Sequence, residues 1–194
     1  MPTISVTGSR GGVGTSVFAW AIAREISANL LLDYSNTQCL HWVVGHPELD
    51  LSWPATIVSP LENLDATKLI QNANRVEGIQ IFSGGTPIAI EVFDPKQIVV
   101  VDGNLKADFH INLRTNLLQD IASFRDSNQI VVLRKVGGGT PVSLIPFKID
   151  YTYKSEGSVE RSIRNGIGLH PKSKIQKIAR QISADILRDS SQNH

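Results

Sequence analysis

The run Gly8-Ser-Arg-Gly-Gly-Val-Gly-Thr-Ser16 stands between a short strand-like segment, Ile4-Ser-Val6, and the apolar stretch Val17 to Ala23, which has helical character. A chain that leaves a strand, turns through four glycines in seven residues and enters a helix can aim several backbone N–H groups at one anion. Glycine admits the positive φ that such a turn needs, and the helix N-terminus adds the positive end of its dipole. One glycine would serve a plain turn, whereas four cost conformational entropy with no structural return. Gly8, Arg10, Gly11, Gly12, Val13, Gly14, Thr15 and Ser16 are therefore the expected anion-binding residues.

Length and composition narrow the setting. A chain of 194 residues with 41% hydrophobic residues suits a single domain over 1–194 with one core. The formal net charge of +1 gives no global field toward nucleic acid or anionic lipid, so neither is an expected partner. No apolar run approaches the ~20 residues of a membrane span, and the start Met-Pro-Thr-Ile-Ser-Val is strand-like rather than a leader. The expectation is a cytoplasmic protein, with recruitment to the inner face of a membrane only indirect. The single cysteine, Cys39, excludes an intramolecular disulfide and reads as a small apolar residue.

Further along, Leu30-Leu-Leu-Asp33 reads as a buried strand that completes a βαβ unit with the first strand and a helix near 16–28. Trp42 to Val44 suggests a short helical turn, Asp65 can cap a helix carrying Leu69, Ile70 and Ala73, and Ile79-Gln-Ile81 reads as a strand before a Gly84-Gly85 turn. Gln97-Ile-Val-Val-Val-Asp102 is the clearest strand, followed by a helix near 116–124 and the strand Gln129 to Leu133. After Gly137 to Gly139, the segment Lys148 to Lys154 alternates like an edge strand, and helices are expected near 158–164 and 172–188. This alternation predicts an α/β, three-layer fold: a mostly parallel sheet with helices on both faces and its ligand beyond the carboxyl ends of the strands, where Gly8, Asp33 and Asp102 converge. Phe109 to Leu113 has strand character, but residues 103–108 are shorter than the dozen of a usual parallel crossover, so it is expected to be antiparallel or not a strand.

The pattern G-x-x-x-x-G-K-[ST] cradles nucleotide phosphates with its lysine on the β and γ phosphates and its hydroxyl on magnesium. Here the lysine position is Thr15 and the hydroxyl is Ser16, which also suits a helix start. Asp102 ends an apolar strand as a magnesium-holding acid would, though Asp102-Gly103 is equally a hairpin dipeptide. The same loop fits the turn of NAD(P)-binding short-chain dehydrogenases, with Asp33 placed for a ribose. That chemistry, however, lacks its Tyr-x-x-x-Lys pair, since Tyr34, Tyr151 and Tyr153 precede Gln38, Ser155 and Gly157 at the lysine spacing. The five histidines show no ligand spacing. The closing helix carries Ile175, Ile178, Ala179, Ile182 and Ile186 on one face, with Lys172, Lys174, Lys177 and Arg180 near its start. It reads as a core-packing helix more readily than as a membrane-surface one.

Arg10-Gly-Gly-Val-Gly-Thr-Ser16 resembles the deviant Walker A loop of the MinD/ParA ATPases, and within them the CpaE/TadZ branch associated with type IV pilus and secretion systems. Leu31-Leu-Asp33, Trp53-Pro54, Leu64 to Ile81, Val99 to Asp102 and Gly157 to Gly166 are similar to segments of that branch. The resemblance implies ATP or ADP as ligand and magnesium held by Ser16, Asp33 and Asp102. It further implies a nucleotide-dependent homodimer bridged by Arg10, and a role in localising or assembling a pilus or secretion system beside its ATPase. Thr15 replaces the P-loop lysine, Ser35 replaces the second acid of the Asp-x-Asp switch, and the helix after the Walker B strand is absent. These departures imply binding with weak or no hydrolysis. An active ATPase, an NAD(P)-binding protein and an interaction module with a vestigial loop remain the alternatives.

Overall fold

The computed structural model describes residues 2–35, 39–49, 51, 74–83, 96–125 and 129–192. The expected helix from Asp65, the Trp53-Pro54 segment and the Gly84-Gly85 turn lie outside the described residues.

Continuous apolar segments form strands buried on both faces, as parallel sheets require. The strands are β1 (Thr3–Gly8), β2 (Leu30–Asp33), β3 (Arg75–Val76), β4 (Ile79–Phe82), β5 (Val99–Asp102), β6 (Phe109–Thr115), β7 (Ile130–Lys135) and β8 (Tyr151–Lys154). They make one sheet in the order β3-β4-β2-β5-β1-β6-β7-β8, parallel except for the β3–β4 hairpin. The α-helices among the described residues are α1 (Thr15–Glu25), α2 (Leu40–Val44), α3 (Leu118–Ala122), α4 (Gly157–Arg164) and α5 (Lys174–Gln192). The α/β architecture with a mostly parallel sheet is thus as the sequence predicts, and Lys148 to Lys154 does supply the edge strand, as β8.

The apolar character of α1 is nearly continuous, and Phe18 through Ala23 are all buried. A helix apolar on every side must be covered on every side. The sheet residues Ile4, Val6, Leu31, Val100 and Ile111 lie on one side of it, and Ala179, Ile182 and Ile186 of α5 belong to the same core cluster. The closing helix is therefore a core helix, its Gln176 donating from Nε2 to the carbonyl of Ala21 at 3.0 Å. On the opposite face Leu133 packs with Ile121 and Ile145.

The segment after Asp102 corrects the sequence reading. β6 is a strand and pairs parallel to β1, with Ile4 opposite Phe109. Residues 103–108 run without a helix from β5, over β1, to β6. Gly103 donates to the carbonyl of Val6 at 2.9 Å, Ser5 Oγ donates to the carbonyl of Gly103 at 2.7 Å, and Asp108 donates to the carbonyl of Thr3 at 3.0 Å. A dozen residues are needed when the crossover contains a helix. This one retraces only from the level of Val6 to that of Ile4 and crosses two strand spacings of ~4.8 Å. Six extended residues reach ~20 Å, enough for that path.

Candidate nucleotide site

At the carboxyl ends of β1 and β5 lies a cavity of about 760 Å³, walled by the 8–16 loop, Asp102, Arg134, Tyr153 and the face of α4. Its size is that of small-molecule and cofactor sites. The loop is shaped by two left-handed glycines, Gly12 at φ 75° and Gly14 at φ 103°. It folds tightly back over Gly8, where an added Cβ would stand 2.4 Å from Val13 Cγ1 and 2.5 Å from Thr15 Oγ1. Gly14 is the N-cap of α1, which has no side-chain cap and no acid in its first turn. Among the described residues, the N–H groups of Gly11, Gly12, Val13, Gly14 and Thr15 make no hydrogen bond of good geometry, residues 11 and 12 forming only a loose turn. An uncapped positive helix end next to a row of amides without well-formed bonds has the donors that an anion would need.

Ser16 and Asp102 both line this cavity. Asp102 is wholly buried, and neither of its carboxylate oxygens has a hydrogen-bond partner of good geometry among the described residues. Burial raises its pKa to about 7, the nearby Asp33 charge adds to the rise, and the Ser16 hydroxyl opposes it without making a well-formed bond. An orphaned buried carboxylate beside a serine hydroxyl fits the donor set of a magnesium site. The hairpin reading of Asp102-Gly103 does not hold, because β5 lies between two parallel neighbours, β1 and β2.

Asp33 is level with Asp102 on the neighbouring strand, but its carboxylate is engaged elsewhere. Its Oδ1 accepts from the Ser35 amide at 2.8 Å and the Ser35 hydroxyl at 2.5 Å, and its Oδ2 accepts from Ser83 Oγ at 2.6 Å. Of the expected metal set, the structure brings Ser16 and Asp102 to the cavity wall and leaves Asp33 behind it. The same bonds occupy the acid that a dinucleotide ribose would need. Arg10 points to α3, where its Nε lies 3.3 Å from Asp120 Oδ2.

With this geometry the chain can be compared with known proteins. No family model matches it, and no curated protein matches it. Among solved structures, it is similar to a ParA family ATPase from Chlorobium tepidum TLS, at 15% identity and a TM-score of 0.70, covering 94% of this chain and 98% of that one. The chain has the fold of the ParA-family ATPases. A second protein with this ParA-like fold, named for plasmid partition and from Borrelia burgdorferi B31, was solved bound to AMPPNP. It is 12% identical with a TM-score of 0.61, and the match covers 96% of this chain and 98% of that one.

Sequence reasoning missed the far wall of the cavity, formed by Arg134, Tyr153, Ser155, Val159 and Glu160. One signal was present: Arg134 closes an apolar strand of a parallel sheet, the same position that drew attention to Asp33 and Asp102. No pattern linked it to a loop more than a hundred residues away.

Proposed function

We propose that the protein binds ATP or ADP with the phosphates on the amides of Gly11 to Thr15. The observation that carries this reading is the pairing of those amides with the orphaned Asp102 across one cavity. Ser16 and Asp102 would hold magnesium, which when bound offsets phosphate charge. Gly8, Arg10 and Val13 shape or flank the cradle.

Hydrolysis is weak or absent on this reading. Thr15 brings no charge to the phosphates, Ser35 is bonded to Asp33 rather than placed as an acid, and Arg10 is paired within its own chain. Backbone amides suffice for binding, whereas transition-state charge needs cations and an oriented water. Loss of one preorganised donor typically costs on the order of 100-fold to 1,000-fold in rate. Such a protein acts as a nucleotide-sensitive localisation or assembly factor, as the likeness of its loop to the CpaE/TadZ branch implies, with a pilus or secretion ATPase as partner and a nucleotide-dependent homodimer as its active form.

Calorimetric titration with ATP and ADP, with and without magnesium, tests the binding. We expect saturable heat that strengthens with magnesium and a Ser16→Ala variant that loses the magnesium effect. The absence of heat at millimolar ATP with magnesium would remove the reading. Steady turnover at rates of ordinary ATPases, abolished in Ser16→Ala, would replace it with an active ATPase.

A further inference from the structure

Arg134, at the end of β7, reaches across the cavity wall to the loop. Its Nη1 donates to the carbonyl of Gly12 at 3.1 Å and to that of Val13 at 3.5 Å. Its Nη2 donates to Glu160 Oε1 of α4 at 2.9 Å, and its Nε donates to Ser155 Oγ. A trans peptide is planar, with its C=O and N–H on opposite sides. The peptides whose carbonyls Arg134 holds are therefore the ones that carry the N–H groups of Val13 and Gly14, two of the donors of the cradle. The loop has other anchors: Ser9 donates to the carbonyl of Leu113 at 3.0 Å, the carbonyl of Gly14 accepts from Phe18 at 3.0 Å, Arg10 pairs with Asp120, and the Val13 side chain is buried in the core. None of these holds the Gly12 or Val13 carbonyl, and Gly12 and Gly14 have the backbone freedom of left-handed glycines.

We infer that Arg134 is a positioning residue for the anion cradle: by gripping the Gly12 and Val13 carbonyls from behind, it fixes the Val13 and Gly14 amides toward the ligand before any ligand arrives. This rests on the nucleotide reading for the identity of the ligand but not for the tether itself. The role suits arginine, whose planar fork serves several acceptors at once where lysine offers a single point of charge. Glu160 and Ser155 anchor the guanidinium, so the loop, β7, the residues after β8 and α4 form one connected unit. The sequence has Thr15 where the P-loop pattern places a lysine that would order such a loop from inside on binding phosphate. Arg134 supplies order from outside instead, and preorganisation of this kind raises affinity by removing an ordering cost.

The test uses the whole protein and two readouts. Backbone 15N relaxation on the ligand-free protein is expected to show Val13 and Gly14 nearly as rigid as α1 in the wild type. In Arg134→Met their order parameters should drop below ~0.6 while α1 is unchanged. Calorimetry with ATP and with inorganic tripolyphosphate should show about 10-fold weaker binding of both by Arg134→Met, with partial recovery in Arg134→Lys, which can still reach one carbonyl. An Arg134→Met protein whose loop stays rigid, or a wild type that binds both ligands no better than Arg134→Met, overturns the inference. A wild type that binds neither ligand removes the nucleotide reading. Loss of loop order in Arg134→Met would still support the tether in that case, and a loop equally rigid in both proteins would still overturn it.

Discussion

Asp102 is a carboxylate whose burial works against its charged form. Its folded pKa of about 7 lies above the ordinary 3.8, so the folded protein binds this proton more tightly than the unfolded chain does. Stability from this group is therefore greatest below pH ~4, falls as pH rises from 4 to 7 and stays reduced above 7. The difference corresponds to at most ~4 kcal/mol. Asp102→Asn, which imitates the protonated form, should stabilise the metal-free protein at pH 8 by a few kcal/mol and leave it nearly unchanged at pH 4. Urea denaturation at the two pH values checks this, and an equal effect at both would contradict the burial argument. Arg10 and Asp120 form an unequal pair. Arg10 is half exposed, and an exposed ion pair contributes ~0.2–1 kcal/mol, so Arg10→Ala should cost less than 1 kcal/mol. Asp120 is buried and also accepts from the amide and the hydroxyl of Thr115. Asp120→Ala leaves those donors unpaired and should cost roughly 1–3 kcal/mol more, measurable in the same denaturation series.

At the scale of elements, the crossover from β5 to β6 shows why a sound length rule misjudged this chain. The rule assumes a helix. Ser5 Oγ and the carbonyls of Thr3 and Val6 satisfy the polar groups of an extended connector instead, and nothing in residues 103–108 announces that partnership because it depends on β1. Gly103 is essential to the path, with φ at 146° and the position of a Cβ only 2.8 Å from Tyr34 Cβ. Gly103→Ala should destabilise by roughly 1–3 kcal/mol from backbone strain and crowding. A melting temperature equal to the wild type would show that the connector has another conformation open to it. The edge strand and the helices of the second half were legible because period-two and helical patterns are local properties of the chain. The partners of Arg134 were not, since Gly12, Ser155 and Glu160 reach it only through the stacking of β7 beside β8 and the approach of the loop to α4.

For the whole molecule, the cavity lies between elements from both halves of the chain, so a ligand there bridges them and stabilises the fold by linkage. At a free concentration 100 times its Kd, a nucleotide adds ~2.7 kcal/mol. For a domain of this size that is a rise in Tm of roughly 5–10 °C. Scanning calorimetry should show this rise for ATP with magnesium, and a smaller one in Arg134→Met at the same ATP concentration. An unchanged Tm in the wild type at millimolar ATP would remove the nucleotide reading. The described helices include none long and apolar enough to cross a membrane.

The sequence by itself determined the strand, glycine loop and helix that open the chain, the continuous apolar strands of a parallel sheet, and the strand-end placement of Gly8, Asp33 and Asp102. All of these follow from φ preferences and hydrophobic period, which act within a few residues. Only the tertiary structure decided which of those acids is free. Ser35 and Ser83 occupy Asp33, while burial without a partner leaves Asp102 facing the cavity. It also decided the direction of β6 and the grip of Arg134 on the loop. Those outcomes rest on hydrogen bonds between groups far apart in sequence, and their energies exist only once the sheet has brought the groups together.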